Sequence, residues 1–289
     1  MLELTKVLAG SDGGDPGAAA ITTGAALAGR AEATFEVVSV LEVLLLPVGV
    51  EAEVYEGDFA ADLRKKVKAQ MEKAGVAGAT LHVRSGLAAP IITQQAEDAG
   101  ASLLVVGANQ KPAVARFLVG STAERVIRMA HRPVLVATEE RRDPFRRVLA
   151  AVDLSGQSTR VMEAAAAIAQ VDGAELRVLY VQDLLTPMLL EAALFDAKEV
   201  RHYASEQFAR TVSQLHLPSE LMVSREIREG HAGHAILDEA EDWKADLIVV
   251  GTHGFGFFNR LMLGSTSIHV LRHGHRSTLI VPRGEAEEE

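Results

Sequence analysis

Short apolar runs alternate with longer amphipathic stretches along the whole chain. Leu4–Asp12, Phe35–Leu41, Thr80–Arg84, Leu103–Val106 and Val134–Ala137 have the length and composition of strands. Between them, Ala18–Arg30, Asp58–Lys73, Gly86–Ala99 and Ser121–Ala130 have the composition of helices. In the second of these Leu63, Val67 and Met71 recur at helical spacing. Leu44–Gly57 and Gly107–Gly120 are expected to be loops. The cycle then restarts. Strands are expected at Arg147–Asp153, Leu176–Val181, Leu221–Ile227, Leu247–Val250 and Thr278–Val281. Helices are expected at Ser158–Gln170, within Leu189–Leu215, at Gly230–Glu241, and from the Gly264-Ser265-Thr266 stretch to about His273.

The second cycle copies the first. Gly107 matches Gly251, Gly120 matches Gly264, and His131-Arg132 matches His275-Arg276, each pair 144 positions apart. Asp12 and Asp153 stand 141 apart at the front of each half. From Gly86 to Val136 about twenty of some fifty positions are identical at the longer offset, far above chance. The chain is therefore expected to hold two domains, residues 1–140 and 145–284, joined by TEERRDPFR. Strands alternating with helices predict an α/β fold with parallel sheets covered on both faces. With a strand order of 3-2-1-4-5, the order reverses between the first and fourth strands of each half. Ligands bind at that reversal, outside the carboxyl ends of the strands. In the second half it brings together Asp153 and Gly251.

The stretch LIVVGTHGFGFFNRLMLGST (247–266) carries the most chemistry. Glycine lets backbone pass close to a ligand. A helix opening on Gly264-Ser265-Thr266 offers unpaired N–H groups, partial positive charge and hydroxyls, a setting that suits phosphate. The alternative is that Ser265 simply caps the helix.

Composition narrows the function. Of 289 residues, 48% are hydrophobic and 24% charged, which predicts packed cores and no extensive disorder. No apolar run reaches the length of a membrane span, and the first ten residues lack a signal-peptide pattern. There are no cysteines, which excludes disulfides and thiolate chemistry and is compatible with the cytoplasm. The net charge of −10 without a basic stripe argues against nucleic acid as a partner. The terminal GEAEEE is expected to be a frayed acidic tail.

Gly251, Gly254, Gly264 and Ser265 fit Gly, two residues, Gly, nine residues, Gly, Ser or Thr. With that signature, the strand-end aspartate and the duplication, the chain resembles the universal stress protein family, as a tandem of two domains. The resemblance implies Rossmann-like domains of the adenine nucleotide alpha hydrolase-like type, each with a five-stranded parallel sheet. It implies ATP or AMP as ligand, with Mg2+ a candidate companion of ATP, and a regulatory role in stress. It also implies an intramolecular pseudo-dimer through the last strands, Val134–Ala137 and Thr278–Val281, with a further homodimer as an option. Carried over by position, Asp153 lies near adenine, ribose or metal, and Val181 touches the base. Gly251, Thr252, His253 and Gly254 cradle ribose and phosphate, and Gly264, Ser265, Thr266 and Ser267 hold the phosphates. The first half keeps Asp12, Val40, Gly107, Gly120, Ser121 and Thr122, but Gln110 replaces the second glycine and Pro112 removes a donor. It is expected to be a degenerate counterpart.

Other groupings stay open. His231 with His234, and His269 with His273 and His275, have spacings that suit metal ligation or a plain helix surface. Phe255, Phe257 and Phe258 stack on a base or bury a contact; Arg260 screens phosphate or is solvated. No Ser/His/Asp order, HExxH or Walker lysine motif is present. Three functional classes follow: a nucleotide-binding regulator, a slow ATP hydrolase or nucleotidyl transferase, and a nucleotide-independent scaffold.

Overall fold

The computed structural model describes residues 2–42, 52–108, 121–182, 197–215, 220–252 and 263–284. The expected positions Gln110, Gly120, His253 and Gly254, the loop residues Phe255, Phe257, Phe258 and Arg260, and the acidic tail lie outside the described residues. The chain divides into two compact units between Pro144 and Phe145.

The first unit runs β1 (Lys6–Gly10), α1 (Asp15–Arg30), β2 (Thr34–Leu41), α2 (Ala52–Ala74), β3 (Thr80–Ser85), α3 (Ala88–Asp98), β4 (Leu103–Gly107), α4 (Ser121–Met129), β5 (Val134–Ala137). The second runs β6 (Arg147–Val152), α5 (Gln157–Asp172), β7 (Glu175–Gln182), α6 (Ala197–Ser213), β8 (Val223–Glu229), α7 (Ala232–Asp242), β9 (Leu247–Gly251), α8 (Ser265–His273), β10 (Ser277–Val281). Strand orders are β3-β2-β1-β4-β5 and β8-β7-β6-β9-β10. The pairs of each order are parallel. The expected order 3-2-1-4-5 thus holds in each half.

Composition explains the layers. The central runs LLVVG of β4 and LIVVG of β9 are buried on both faces up to their terminal glycines. The outer strands β3 and β8 are far more exposed, and VSREIRE in β8 carries charges that suit an edge. Helix α1 lies close on its sheet because its buried face is small: a Cβ at Gly24 would sit 3.1 Å from the Phe35 ring and 3.3 Å from Val105. Gly173 ends α5 at φ 63°, with Ala174 N–H returning to the Ala169 carbonyl at 2.8 Å.

Among the boundaries that differ from the sequence expectation, three have a clear physical reason. Helix α2 begins at Ala52, inside the expected loop; Gly57 has open space around it and weakens the helix without ending it. Helix α1 begins three residues early because Pro16 occupies its first turn, where a missing N–H costs nothing. Strand β8 is shifted by two residues, since an edge strand with one covered face has no continuous apolar run to mark its ends.

Candidate functional site

The reversal of strand order opens a crevice in the second unit. Strands β6 and β9 pair through Ala150 and Val249. Beyond that point β6 continues beside β7, ending with Val152 opposite Tyr180, while β9 continues beside β10, ending with Gly251 opposite Val281. The two central strands therefore part over their last residues, and Asp153 and Thr252 stand on either side.

Asp153 is held by its own turn. Its Oδ1 accepts hydrogen bonds from the Ser155 amide (3.0 Å), the Ser155 hydroxyl (2.6 Å) and the Ser158 hydroxyl (3.2 Å). Its Oδ2 is buried and accepts no hydrogen bond among the described residues. Leu154 makes the turn at φ 62°, a left-handed conformation costly for a residue with a Cβ. Tyr180 lies near enough for burial, and then the Asp153 charge, to push its phenol pKa up, so it stays a neutral hydroxyl at ordinary pH. Its ring meets that of Phe208 from α6, centroids 5.9 Å apart. Val181, the expected base contact, is half-buried at the end of β7.

The opposite wall is built from the glycine stretch. Thr252 is buried; its amide donates to the Val281 carbonyl (2.9 Å), and its own carbonyl accepts the Gly264 amide (2.7 Å). The chain thus leaves β9 at Thr252 and returns to it at Gly264. The Ser267 hydroxyl donates to the Gly251 carbonyl (2.6 Å), which fastens α8 to the strand end. Gly264, not Ser265, is the N-cap of α8, and among the described residues no side chain caps it. The first amides of α8 therefore have no partner within the helix. Ser265 is exposed and Thr266 half-exposed beside them.

A residue that the sequence pattern did not reveal forms the floor. Gln157, at the start of α5, is buried; its Nε2 donates to the Val281 carbonyl (2.7 Å) and reaches the Thr252 hydroxyl (3.4 Å). A Cβ at Gly251 would lie 2.8 Å from the Gln157 side-chain amide carbon. Ser155 and Ser158 were likewise not singled out, although a carboxylate followed by serines two and five residues on is a recognisable turn pattern.

The first unit keeps the frame and loses the fittings. Strands β1 and β4 part after Ala9 and Val105, and Gly107 ends β4 as Gly251 ends β9. Asp12 is exposed, and its Oδ1 accepts the Gly14 amide (2.9 Å). At the 141-residue offset Ser155 corresponds to Gly14 and Ser158 to Gly17, so both hydroxyls that hold Asp153 are missing. At the 144-residue offset Ser267 corresponds to the buried Ala123. Helix α2 reaches over the same turn: Gln70 accepts from the Ser11 hydroxyl (2.7 Å) and donates to the Gly14 carbonyl (2.8 Å). Val40 is buried at the end of β2, Ser121 is exposed and Thr122 half-exposed at the start of α4.

Known proteins agree with this architecture. The model of the universal stress protein family matches residues 3–138 and again residues 144–282. A universal stress protein of Synechocystis sp. is 29% identical over 150 residues, covering 47% of this chain and 97% of its own. One from Mycobacterium tuberculosis is 29% identical over 215 residues, covering 72% of this chain and 65% of its own. The crystal structure of a universal stress protein from Archaeoglobus fulgidus matches 99% of this chain and 98% of its own at a TM-score of 0.67 and 20% identity, a likeness of fold. With two consecutive matches to the family model, each on one Rossmann-like α/β unit, the chain belongs to the universal stress protein family in its tandem, two-domain form.

Proposed function

We propose that the second domain, residues 145–284, binds ATP or AMP in the crevice between β6 and β9, and that the protein acts as a nucleotide-dependent regulator in the cytoplasm. The observation that carries this is Asp153. A carboxylate with one oxygen fixed by three donors and the other buried without a donor among the described residues is a poor design for stability alone. It is a good one for accepting a hydrogen bond from an adenine or ribose group, or for meeting a cation that accompanies the phosphates. The residues fit such a ligand. Val181 and Tyr180 stand beside Asp153 for the base. Gly251 and Thr252 present backbone to the ribose, with His253 and Gly254 next in the chain. The uncapped start of α8, with Gly264, Ser265 and Thr266, suits the phosphates. The Ser267 hydroxyl is engaged by the Gly251 carbonyl, so its role is to position the phosphate end.

Residues 1–140 form, in this reading, a degenerate partner domain whose crevice turn is covered by Gln70. The tandem of two family domains fits an intramolecular pair. Steady-state ATP turnover separates this reading from an enzyme, which would turn over at about 1–1,000 per second. Asp153→Ala tests the reading. ATP binding measured by calorimetry should weaken at least about tenfold. Unchanged affinity in that variant would place the nucleotide elsewhere, or nowhere.

A further inference from the structure

Four of the ten histidines meet where α7 and α8 pack together. His231 is the N-cap of α7 and His234 lies in its first turn; His269 and His273 are one turn apart on α8. Ring centroids are 5.0 Å apart for His231 and His234, 5.8 Å for His231 and His269, 4.4 Å for His234 and His269, and 4.3 Å for His269 and His273. Gly233 makes the room: a Cβ there would lie 2.7 Å from the His269 ring.

The fold does not require this cluster. The same helix pair exists in the first domain as α3 and α4, and 144 positions earlier the four places hold Leu87, Pro90, Arg125 and Met129. Nor is it a network of ion pairs. Three of the four acids of α7 are turned to other partners: Glu239 to Arg177 and Arg228, Asp242 to Arg228, and Glu241 to Arg276; the fourth, Asp238, is exposed one turn after His234. A donor set made mainly of imidazoles selects zinc, copper or nickel over magnesium or calcium.

We propose that His231, His234 and His269, with His273 as a fourth donor, form a binding site for a divalent ion of the zinc class. Among the described residues no three side chains are posed to hold an ion as they stand; the His269 ring meets those of His231 and His234 at 62° and 64°. His231, His234 and His273 are exposed, and exposed side chains change rotamer within nanoseconds, so these three rings are free to turn toward a common ion. His273 already has Nδ1 at 3.0 Å from the His269 carbonyl, which leaves its Nε2 as the donor to metal. The bound ion cross-links the first turn of α7 to α8, the helix fastened to the end of β9 by Ser267.

The test is calorimetric titration of the chelator-treated full chain with zinc chloride, with magnesium chloride in parallel. One zinc ion per chain and no magnesium heat are expected. His234→Asn/His269→Asn should lower zinc affinity by about 10–100-fold or more. His231→Asn/His273→Asn, which changes only exposed rings, should also lower it and keeps the test sound if the first variant misfolds. His275→Asn, outside the quartet, should leave it unchanged. No saturable zinc binding below about 100 µM, or the same affinity in both double variants, would overturn the proposal.

Discussion

Replacing Gly251 by alanine probes the crevice floor directly. A Cβ at this position would stand 2.8 Å from the side-chain amide carbon of Gln157, 2.9 Å from its Oε1 and 3.0 Å from its Nε2. Ordinary contact begins near 3.4 Å, so the amide must retreat by several tenths of an ångström. It is not free to do so cheaply, because its Nε2 is 2.7 Å from the Val281 carbonyl and the residue is buried. Stretching or losing a buried hydrogen bond costs about 1–3 kcal/mol, similar to the cost of overpacking a core. Trp243 is the chain's one tryptophan and lies in this domain, with the Arg177 guanidinium 4.4 Å from its ring centre. Urea unfolding followed by its fluorescence should therefore report a loss of about 1–3 kcal/mol in Gly251→Ala. Truncating the obstacle should recover part of it, so Gly251→Ala/Gln157→Ala should be more stable than the sum of the two single losses. A neutral Gly251→Ala, or strictly additive losses, would refute the contact as the reason for glycine here.

Two further outcomes are expected. Leu154 takes φ 62° where the first domain has Gly13 at φ 79°, so Leu154→Gly should gain about 1 kcal/mol in the same urea assay by relieving the turn beside Asp153; a loss would mean that the leucine side chain contributes more than its backbone costs. For Glu36, burial alone would raise the carboxyl pKa, but hydrogen bonds from Lys6 Nζ (2.9 Å) and His82 Nε2 (2.8 Å) outweigh it and hold the pKa below the ordinary carboxylate value. Its folded pKa is depressed, so its contribution is present above the unfolded value and disappears as pH falls through the folded one. Glu36→Gln should cost about 1 kcal/mol at pH 7 and progressively less below about pH 4.5 in equilibrium unfolding; a cost that grows below about pH 4.5 would contradict the pairing.

The order of elements could be read from the chain because two signals reinforce each other. LLVVG and LIVVG are apolar throughout, as only strands covered on both faces can be, and the copied spacing fixes their equivalence. Parallel connections then leave few sheet orders. What could not be read depends on contacts between distant residues. Gln157 and Val281 are 124 positions apart, and nothing local to Gln157 marks it as a crevice floor. The two histidine pairs are visible at helical spacings, but their meeting is a property of how α7 packs on α8. The start of α2 was hidden by Gly57, a residue that usually closes a helix and here only interrupts its surface. The serines that hold Asp153 were legible in principle: reading Gly14 and Gly17 against Ser155 and Ser158 shows the asymmetry of the two crevices without a structure.

That asymmetry supports the central claim, a single nucleotide site, located in the second domain. The direct measurement is a calorimetric titration of the full chain with ATP, repeated with AMP and with Asp12→Ala and Asp153→Ala variants. The account predicts about one nucleotide per chain, binding unaffected by Asp12→Ala and weakened at least about tenfold by Asp153→Ala. Two equivalent sites, or a single site lost with Asp12 and kept without Asp153, would contradict it.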